Sequence, residues 1–153
     1  MIQQKGVALN AYRLLFFLTL LNLLNFVDRQ LIASFANFIV PDLGLTDTQY
    51  GFLTTVPFIV FYSIAGLFMG VLADMVNRPK LIAFGVVLWS VFTALTGAAK
   101  GFISMALPRM FIGVGESILT PTSMSLLSDS FPSKRMGFAA GFYYMGVPIG
   151  VGV

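Results

Sequence analysis

Long apolar stretches separated by short polar segments dominate the pattern along the chain. Each is close to or above 20 residues in length, and together they predict helical spans at about residues 11–40, 50–73, 81–99, 102–127 and 136–153. A helix rises about 1.5 Å per residue, so about 20 residues cross a hydrocarbon layer of about 30 Å. The pattern therefore predicts an all-α integral membrane protein in which residues 1–153 form one transmembrane bundle.

The two ends of this pattern lead to separate expectations. The fifth stretch is still apolar at Val153, and an unfinished span would leave helix faces without partners, so we expect a fragment of a longer protein. The first stretch runs past Ala36 and carries charges near its centre, which predicts a retained span rather than a signal peptide. Thr46 or Asp47 is the candidate N-cap of the second span.

Composition supports the membrane interpretation and excludes several functions. Hydrophobic residues make up 58% of the chain and charged residues 10%, against about 25% charged residues in a typical soluble domain. The sequence has no Cys and no His, which excludes disulfides and thiolate metal sites and leaves carboxylates to carry any coupled proton. No basic patch is interleaved with aromatic residues, so nucleic acid is not an expected partner. We expect no cofactor, no metal and no enzymatic activity.

The distribution of Lys and Arg predicts the orientation of the chain. One side has only Lys100, beside Asp42 and Asp47. The other side collects Lys5, Arg13, Arg78, Lys80, Lys134 and Arg135. The N-terminus is therefore predicted to be cytoplasmic, in a multi-pass protein of the bacterial inner (plasma) membrane.

Four charged residues lie away from the ends of predicted spans: Asp28 and Arg29 in the first, Arg109 and Glu116 in the fourth. A charge near the bilayer centre costs about 2.5–3.5 kcal/mol on insertion scales, so these side chains should face a bundle interior or a watery cavity. We interpret them as a binding site for substrate and for a coupling proton. The alternative is a structural set of ion pairs that locks helices together, and Arg29 could also extend to the membrane interface.

These charges belong to two polar stripes at helical spacing. The stripe in the fourth span contains Arg109, Gly113, Glu116 and Thr120. The stripe in the first span contains Asn22, Asn25, Arg29 and Ala33, with Asp28 beside it. Residues three and four apart share one helix face, so the natural arrangement sets Asp28 or Glu116 against Arg109 or Arg29. Glu116 is the strongest single candidate for reversible protonation.

Glycines and prolines inside the spans predict close helix packing and helix bending. Small residues four apart let helix backbones approach, as at Gly66/Gly70, Gly137/Gly141 and Gly146/Gly150. Pro121 and Pro148 free backbone carbonyls and should bend the fourth and fifth spans. Ordinary helix packing would explain the glycines equally well.

Three motifs resemble the signatures of the major facilitator superfamily. Residues 70–80 read GVLADMVNRPK, which resembles the G-x-L-a-D-r-x-x-R-x-K loop signature between the second and third spans. Residues 109–116 read RMFIGVGE, similar to the R-x-x-x-G-x-G signature, and residues 146–150 read GVPIG, a loose version of the fifth-span motif. The loop departs from the pattern at Met75, which replaces a basic residue, and at Pro79.

The superfamily resemblance implies an architecture and roles for motif residues. It implies twelve spans in two halves that rock to alternate access, acting as a monomer when the chain is full length. Gly70, Asp74 and Arg78 would form a conformational latch, although Asp74 and Arg78 could be solvated loop charges. Helix packing and bending would fall to Gly113, Gly115, Pro121, Gly146, Pro148 and Gly150.

Within the superfamily, NFVDR at residues 25–29, GES at 115–117 and Pro121 resemble the spinster family. That resemblance implies proton-linked transport of a lipid-like substrate such as sphingosine phosphate or a lysophospholipid. Similar pieces occur in organic-anion/proton symporters of the same superfamily, in which Arg29 and Arg109 would clamp a carboxylate. A membrane-embedded lipid enzyme and a purely structural subunit are the remaining alternatives.

Overall fold

The computed structural model describes residues 2–152, with side chains described from Asn10 onward. The side chain of Lys5, and residues Met1 and Val153, lie outside this part of the chain. The helices within it are α1 (Ile2–Ser34), α2 (Ala36–Asp42), α3 (Asp47–Met75), α4 (Arg78–Gly97), α5 (Phe102–Ser117), α6 (Leu119–Ser130), α7 (Ser133–Tyr144) and α8 (Gly146–Gly152). No strand occurs among the described residues, and the all-α prediction is confirmed.

Four helical segments in the described part of the chain are long and apolar enough to cross a membrane. They are Asn10–Ser34, Asp47–Met75, Arg78–Gly97 and Phe102–Ser130. The region predicted as a fifth span forms two shorter helices, α7 and α8, that are separated at Met145. A fifth crossing, and the organisation of residues 1–153 as one bundle, therefore stay predictions.

The helix boundaries follow local chemistry. Thr46 is the N-cap of α3: its hydroxyl oxygen accepts from the Gln49 N–H (3.2 Å), and the Gln49 side-chain oxygen accepts from the Thr46 N–H (3.0 Å). This reciprocal capping box satisfies backbone donors that a helix start leaves open, and it confirms the predicted cap. Asn77 caps α4 in a similar way, accepting from the Lys80 N–H, and Pro79 lies in the first turn, where its missing N–H costs nothing.

Two helix breaks follow the same rule. The interruption between α5 and α6 is at Ile118, and the one between α7 and α8 is at Met145. Each lies three residues before a proline, Pro121 or Pro148, whose ring crowds the preceding turn and which cannot donate a backbone hydrogen bond. Ile118 and Met145 keep right-handed helical dihedrals, so the chain keeps a helical course through both breaks.

The chain divides into two compact units. The terminal unit comprises Met1–Gln30 and Ser123–Val153, and the central unit comprises Leu31–Thr122. In the terminal unit, one face of α1 is buried at Ala11, Leu15, Leu18 and Leu21, at helical spacing. The neighbouring Phe16, Phe17, Leu20 and Leu24 are exposed, as expected for an apolar helix surface in contact with lipid.

In the central unit, α5 packs against both α3 and α4. One cluster of buried residues joins α3 to α5 through Tyr50, Leu53, Met105 and Ala106, and the partly buried side chains of α2 cover it. A second cluster contains Ala73, Leu81 and Ile118. Helix α5 is therefore the central element of this unit, and the residues it buries include the two charged ones predicted for the site.

Candidate functional site

Arg109 lies on α5 and is buried, with 3% of its surface exposed. Its Nη2 donates to the carbonyl oxygen of Thr54 on α3 at 2.9 Å. Its guanidinium carbon lies 5.2 Å from the centroid of the Phe58 ring, one turn further along α3, which is within cation–π range. A carbonyl dipole and an aromatic face thus help to hold the guanidinium in place.

Glu116 lies on the same helix, seven residues after Arg109, and is 1% exposed. Seven residues correspond to two helical turns, so both side chains lie on one face about 10 Å apart along the axis. Glu116 is also the penultimate residue of α5, directly before the break at Ile118. The central unit therefore buries one positive and one negative side chain on the same stripe of the same helix.

Glycines on α5 fix the position of this stripe. A Cβ added at Gly113 would lie 2.7 Å from the Phe58 carbonyl oxygen, and one at Gly115 would lie 3.0 Å from the Gly85 carbonyl oxygen and from the Trp89 nitrogen. The distance at Gly113 is shorter than real Cβ contacts and the two at Gly115 are tighter than nearly all of them, so α5 meets the backbone of α3 on one side and that of α4 on the other. Sequence reasoning missed Gly85, because a single glycine in an apolar helix gives no packing signal.

The polar stripe of α1 lies in the terminal unit. Asn22 is 1% exposed, and its Nδ2 donates to the Tyr143 carbonyl oxygen on α7 at 3.0 Å. Asn25 is 3% exposed. Asp28 and Arg29 are half-buried, and the guanidinium carbon of Arg29 lies 4.8 Å from the Phe26 ring centroid.

Gly146 and Gly150 bring α8 against this stretch of α1. A Cβ at Gly146 would lie 2.9 Å from the Thr19 carbonyl oxygen, and one at Gly150 would lie 2.6 Å from the Leu23 carbonyl oxygen and 2.8 Å from the Phe26 Cβ. The fifth-span motif therefore packs backbone against backbone, with Pro148 between the two glycines. At Gly66, Gly70, Gly137 and Gly141, an added Cβ would meet nothing within 4 Å in the described part of the chain, so close helix packing at these glycines stays a prediction.

The predicted charged residues fall into two sets. Arg109 and Glu116 share α5 in the central unit, whereas Asp28 and Arg29 share α1 in the terminal unit. Pairing of a carboxylate from one set with an arginine from the other stays a prediction.

The loop motif joins the end of α3 to the start of α4. Arg78 Nη2 lies 3.7 Å from Asp74 Oδ1, and its Nε donates to the Ala73 carbonyl oxygen at 3.3 Å. Asp74 is 71% exposed and Arg78 is 25% exposed, so this ion pair contributes at most about 1 kcal/mol to stability.

A separate groove of about 280 Å³ lies where α2 meets the start of α3. It is lined by Ala36, Asn37, Val40, Pro41, Asp47, Tyr50 and Gly51. None of the residues predicted to bind substrate or proton lines it.

Comparison with known proteins gives the family. The profile described as Major Facilitator Superfamily matches residues 18–153. A probable L-galactonate transporter of Escherichia coli (strain K12) is 33% identical over 150 residues, covering 97% of this chain and 32% of that protein. Protein spinster of Drosophila melanogaster is 30% identical over 136 residues, covering 89% of this chain and 22% of that protein.

A solved structure supports the same assignment. The crystal structure of a bacterial homolog to the human lysosomal transporter Spinster, inward-facing and unoccupied, matches with a TM-score of 0.88 and 38% identity. The match covers 92% of this chain and 29% of that one, so the chain spans about a third or less of the length of these relatives. The chain belongs to the major facilitator superfamily, with spinster proteins among its relatives.

Proposed function

We propose that this chain is the N-terminal part of a proton-coupled secondary transporter that moves an anionic, lipid-like substrate by alternating access. The observation that carries the proposal is the burial of Arg109 and Glu116 on one stripe of a membrane-spanning helix. A buried charge in a span is expensive, and such residues mark substrate and ion pathways. The spinster relatives, including a sphingosine-1-phosphate transporter of Danio rerio at 28% identity, favour a phosphate-bearing lipid.

In this proposal each charged side chain has a role. Glu116 and Asp28 take up and release the coupling proton as access alternates. Arg109, held by the Thr54 carbonyl oxygen and the Phe58 ring, attracts the anionic head group, and Arg29 assists it. A second half, absent from these 153 residues, completes the cavity and supplies the surface that Asp74 and Arg78 engage as a latch. The transporter is monomeric and lies in the bacterial inner membrane with a cytoplasmic N-terminus.

A second candidate is a symporter of protons and a small organic anion. The similarity to the probable L-galactonate transporter, at 33% identity, and to a hexuronate transporter of Bacillus subtilis (strain 168), at 31%, favours it. The same arginines would then clamp a carboxylate instead of a phosphate. The two candidates therefore differ in the anionic group of the substrate and in the length and apolarity of the rest of it.

Flux into proteoliposomes tests both candidates on the full-length transporter that contains these residues. We expect an imposed pH gradient to drive uptake of sphingosine phosphate or a lysophospholipid, and Glu116→Gln to abolish the dependence on the gradient. Uptake of a sugar acid without any lipid uptake would overturn the lipid substrate in favour of the second candidate. Unchanged gradient-driven flux in Glu116→Gln would overturn the proton role of this residue.

A further inference from the structure

Two asparagines on α1, three residues apart on one face, have opposite surroundings. Asn22 donates from its side-chain nitrogen to the Tyr143 carbonyl oxygen at 3.0 Å, which ties α1 to α7. Asn25 is equally buried, at 3% exposed, yet its Nδ2 has no hydrogen-bond partner among the described residues. The asparagine amide nitrogen therefore makes a helix–helix hydrogen bond at position 22, whereas at position 25, one turn later, it makes none with the described residues.

A buried, unpaired donor has a measurable cost. More than 90% of buried backbone polar groups, and most buried side-chain polar atoms, have a hydrogen-bond partner, and leaving one unmade costs about 1–3 kcal/mol. An aliphatic side chain at position 25 would avoid that cost. An asparagine at this position whose Nδ2 has no partner among the described residues points to a partner that comes from outside them.

The helix around Asn25 has little freedom to turn this amide elsewhere. Gly146 lies against Thr19 and Leu23 on the N-terminal side of Asn25, and Gly150 lies against Leu23 and Phe26 on both sides of it. These are backbone contacts, so rotation of α1 would bring main-chain atoms into collision. The stretch of α1 backbone that carries Asn25 is held in position before any ligand arrives, which lowers the entropic cost of binding.

Arg29 defines the chemistry that such a ligand would have. It lies four residues beyond Asn25, and side chains four apart on a helix have Cβ atoms about 5–6 Å apart. A neutral N–H donor next to a guanidinium suits an anion with several oxygens, since each oxygen can accept from a different donor. Phosphate and carboxylate both meet this description.

We propose that Asn25 is a substrate-binding residue whose side-chain amide donates a hydrogen bond to an oxygen of the anionic head group. The proposal rests on the proposed transport function and adds a neutral, directional contact to the charges assigned there. Asn22 is the matched control, because it lies on the same face with the same side chain but already has a partner.

The test compares Asn25→Ala, Asn25→Asp and Asn22→Ala in the full-length transporter, with sphingosine phosphate, sphingosine and galactonate as probes. Dissociation constants are measured in detergent, KM and kcat in proteoliposomes, and Tm by thermal unfolding. We expect Asn25→Ala to raise the Kd and KM of the transported anion about 10-fold or more, with kcat within twofold and Tm unchanged or higher. Asn25→Asp should weaken binding further, because it adds a negative charge without changing the shape.

The control and the neutral probe decide the interpretation. Asn22→Ala should lower Tm and leave KM within threefold, and Asn25→Gln should recover part of the lost affinity. Sphingosine, which lacks the phosphate, should bind wild type and Asn25→Ala equally. If the transported anion has the same Kd and KM in Asn25→Ala as in wild type, the binding role of Asn25 is wrong, while the proposed transport function stands. The same conclusion follows if the change in KM parallels the change in Tm in both Asn25→Ala and Asn22→Ala. Failure of wild type to bind or carry any of the probes would instead overturn the proposed function, and this role with it.

Discussion

The hydroxyl group of Tyr50, at the start of α3, donates a hydrogen bond to the carbonyl oxygen of Ile32, near the end of α1. The acceptor lies one turn before Phe35, where α1 stops and α2 begins. Carbonyl oxygens near a helix end lack part of their intrahelical bonding, so a side chain from a neighbouring helix can satisfy them. Tyr50 therefore stabilises the interruption of the first span from outside that span.

Replacing Tyr50 with Phe removes this hydrogen bond and keeps the aromatic ring. We expect the variant to lose about 0.5–1.5 kcal/mol of stability, the usual net value of one hydrogen bond. The measurement is the midpoint of thermal unfolding of the full-length protein in detergent. Tyr144→Phe is the matched control, because Tyr144 is 47% exposed, and it should change the midpoint little. Equal midpoints for Tyr50→Phe and wild type would show that another group satisfies the Ile32 carbonyl.

Arg109 should not tolerate replacement by Lys. The planar guanidinium of Arg109 donates to the Thr54 carbonyl oxygen and at the same time lies over the Phe58 ring. The ammonium group of Lys keeps the charge but is not planar, so it cannot make both contacts in the same way. We expect Arg109→Lys to reduce transport at least about 10-fold, equivalent to about 1.4 kcal/mol. Initial uptake rates normalised to the amount of reconstituted protein measure this effect. Arg13→Lys, at an exposed position on α1, serves as the control and should transport like wild type.

Alanine at Gly113 and at Gly137 should have opposite consequences. At Gly113 the new methyl group would lie 2.7 Å from a backbone oxygen that cannot rotate away, so we expect a loss of about 1–3 kcal/mol. At Gly137 no atom of the described residues lies within 4 Å of the added methyl group. Because Ala has a higher helix propensity than Gly, stability should stay unchanged or increase by up to about 1 kcal/mol. Unfolding midpoints of the two variants, measured side by side, check the difference. An unchanged midpoint for Gly113→Ala would show that α5 does not meet α3 as closely as described, and a loss for Gly137→Ala would show that Gly137 is packed against another helix.

Asp74→Asn should separate stability from transport. The Asp74–Arg78 ion pair is exposed and its atoms are 3.7 Å apart, so its removal should change the free energy of unfolding by less than about 1 kcal/mol. If Asp74 acts as a latch between the two halves, the same variant should still lose most of its transport rate. Parallel measurements of Tm and uptake provide the check, and normal uptake by Asp74→Asn would exclude the latch.

The sequence predicts the elements of this fold better than their contacts. Length and apolarity are enough to place four of the five predicted spans, Thr46 predicts the start of α3, and Pro121 and Pro148 predict the two breaks. These signals depend only on residues that are close in the sequence, so they can be recognised without knowing the tertiary contacts. The first span is the exception, because its interruption at Phe35 has no proline or glycine beside it to signal it.

The contacts that assemble the site were not predictable in the same way. In a membrane, lipid is as apolar as a protein interior, so hydrophobicity does not reveal which face is buried. The buried face of α5 carries Arg109, Gly113, Gly115, Glu116 and Ser117, whereas its exposed positions include Ile103, Leu107 and Phe111. The spacing of the polar stripe indicated this face correctly, but the partners Thr54, Phe58 and Gly85 depend on how three helices meet.

The glycine contacts also reverse the usual rule for which positions in a protein accept mutation. Many of the largest apolar side chains, such as Phe16 and Leu67, have exposed surfaces, and a library that exchanges them for other apolar residues should yield mostly functional clones. At Gly113, Gly146 and Gly150 an added Cβ would lie closer than 3.0 Å to a neighbouring atom, and at Gly115 it would lie at 3.0 Å. These four glycines, rather than the largest apolar side chains, should therefore be among the least variable positions under selection.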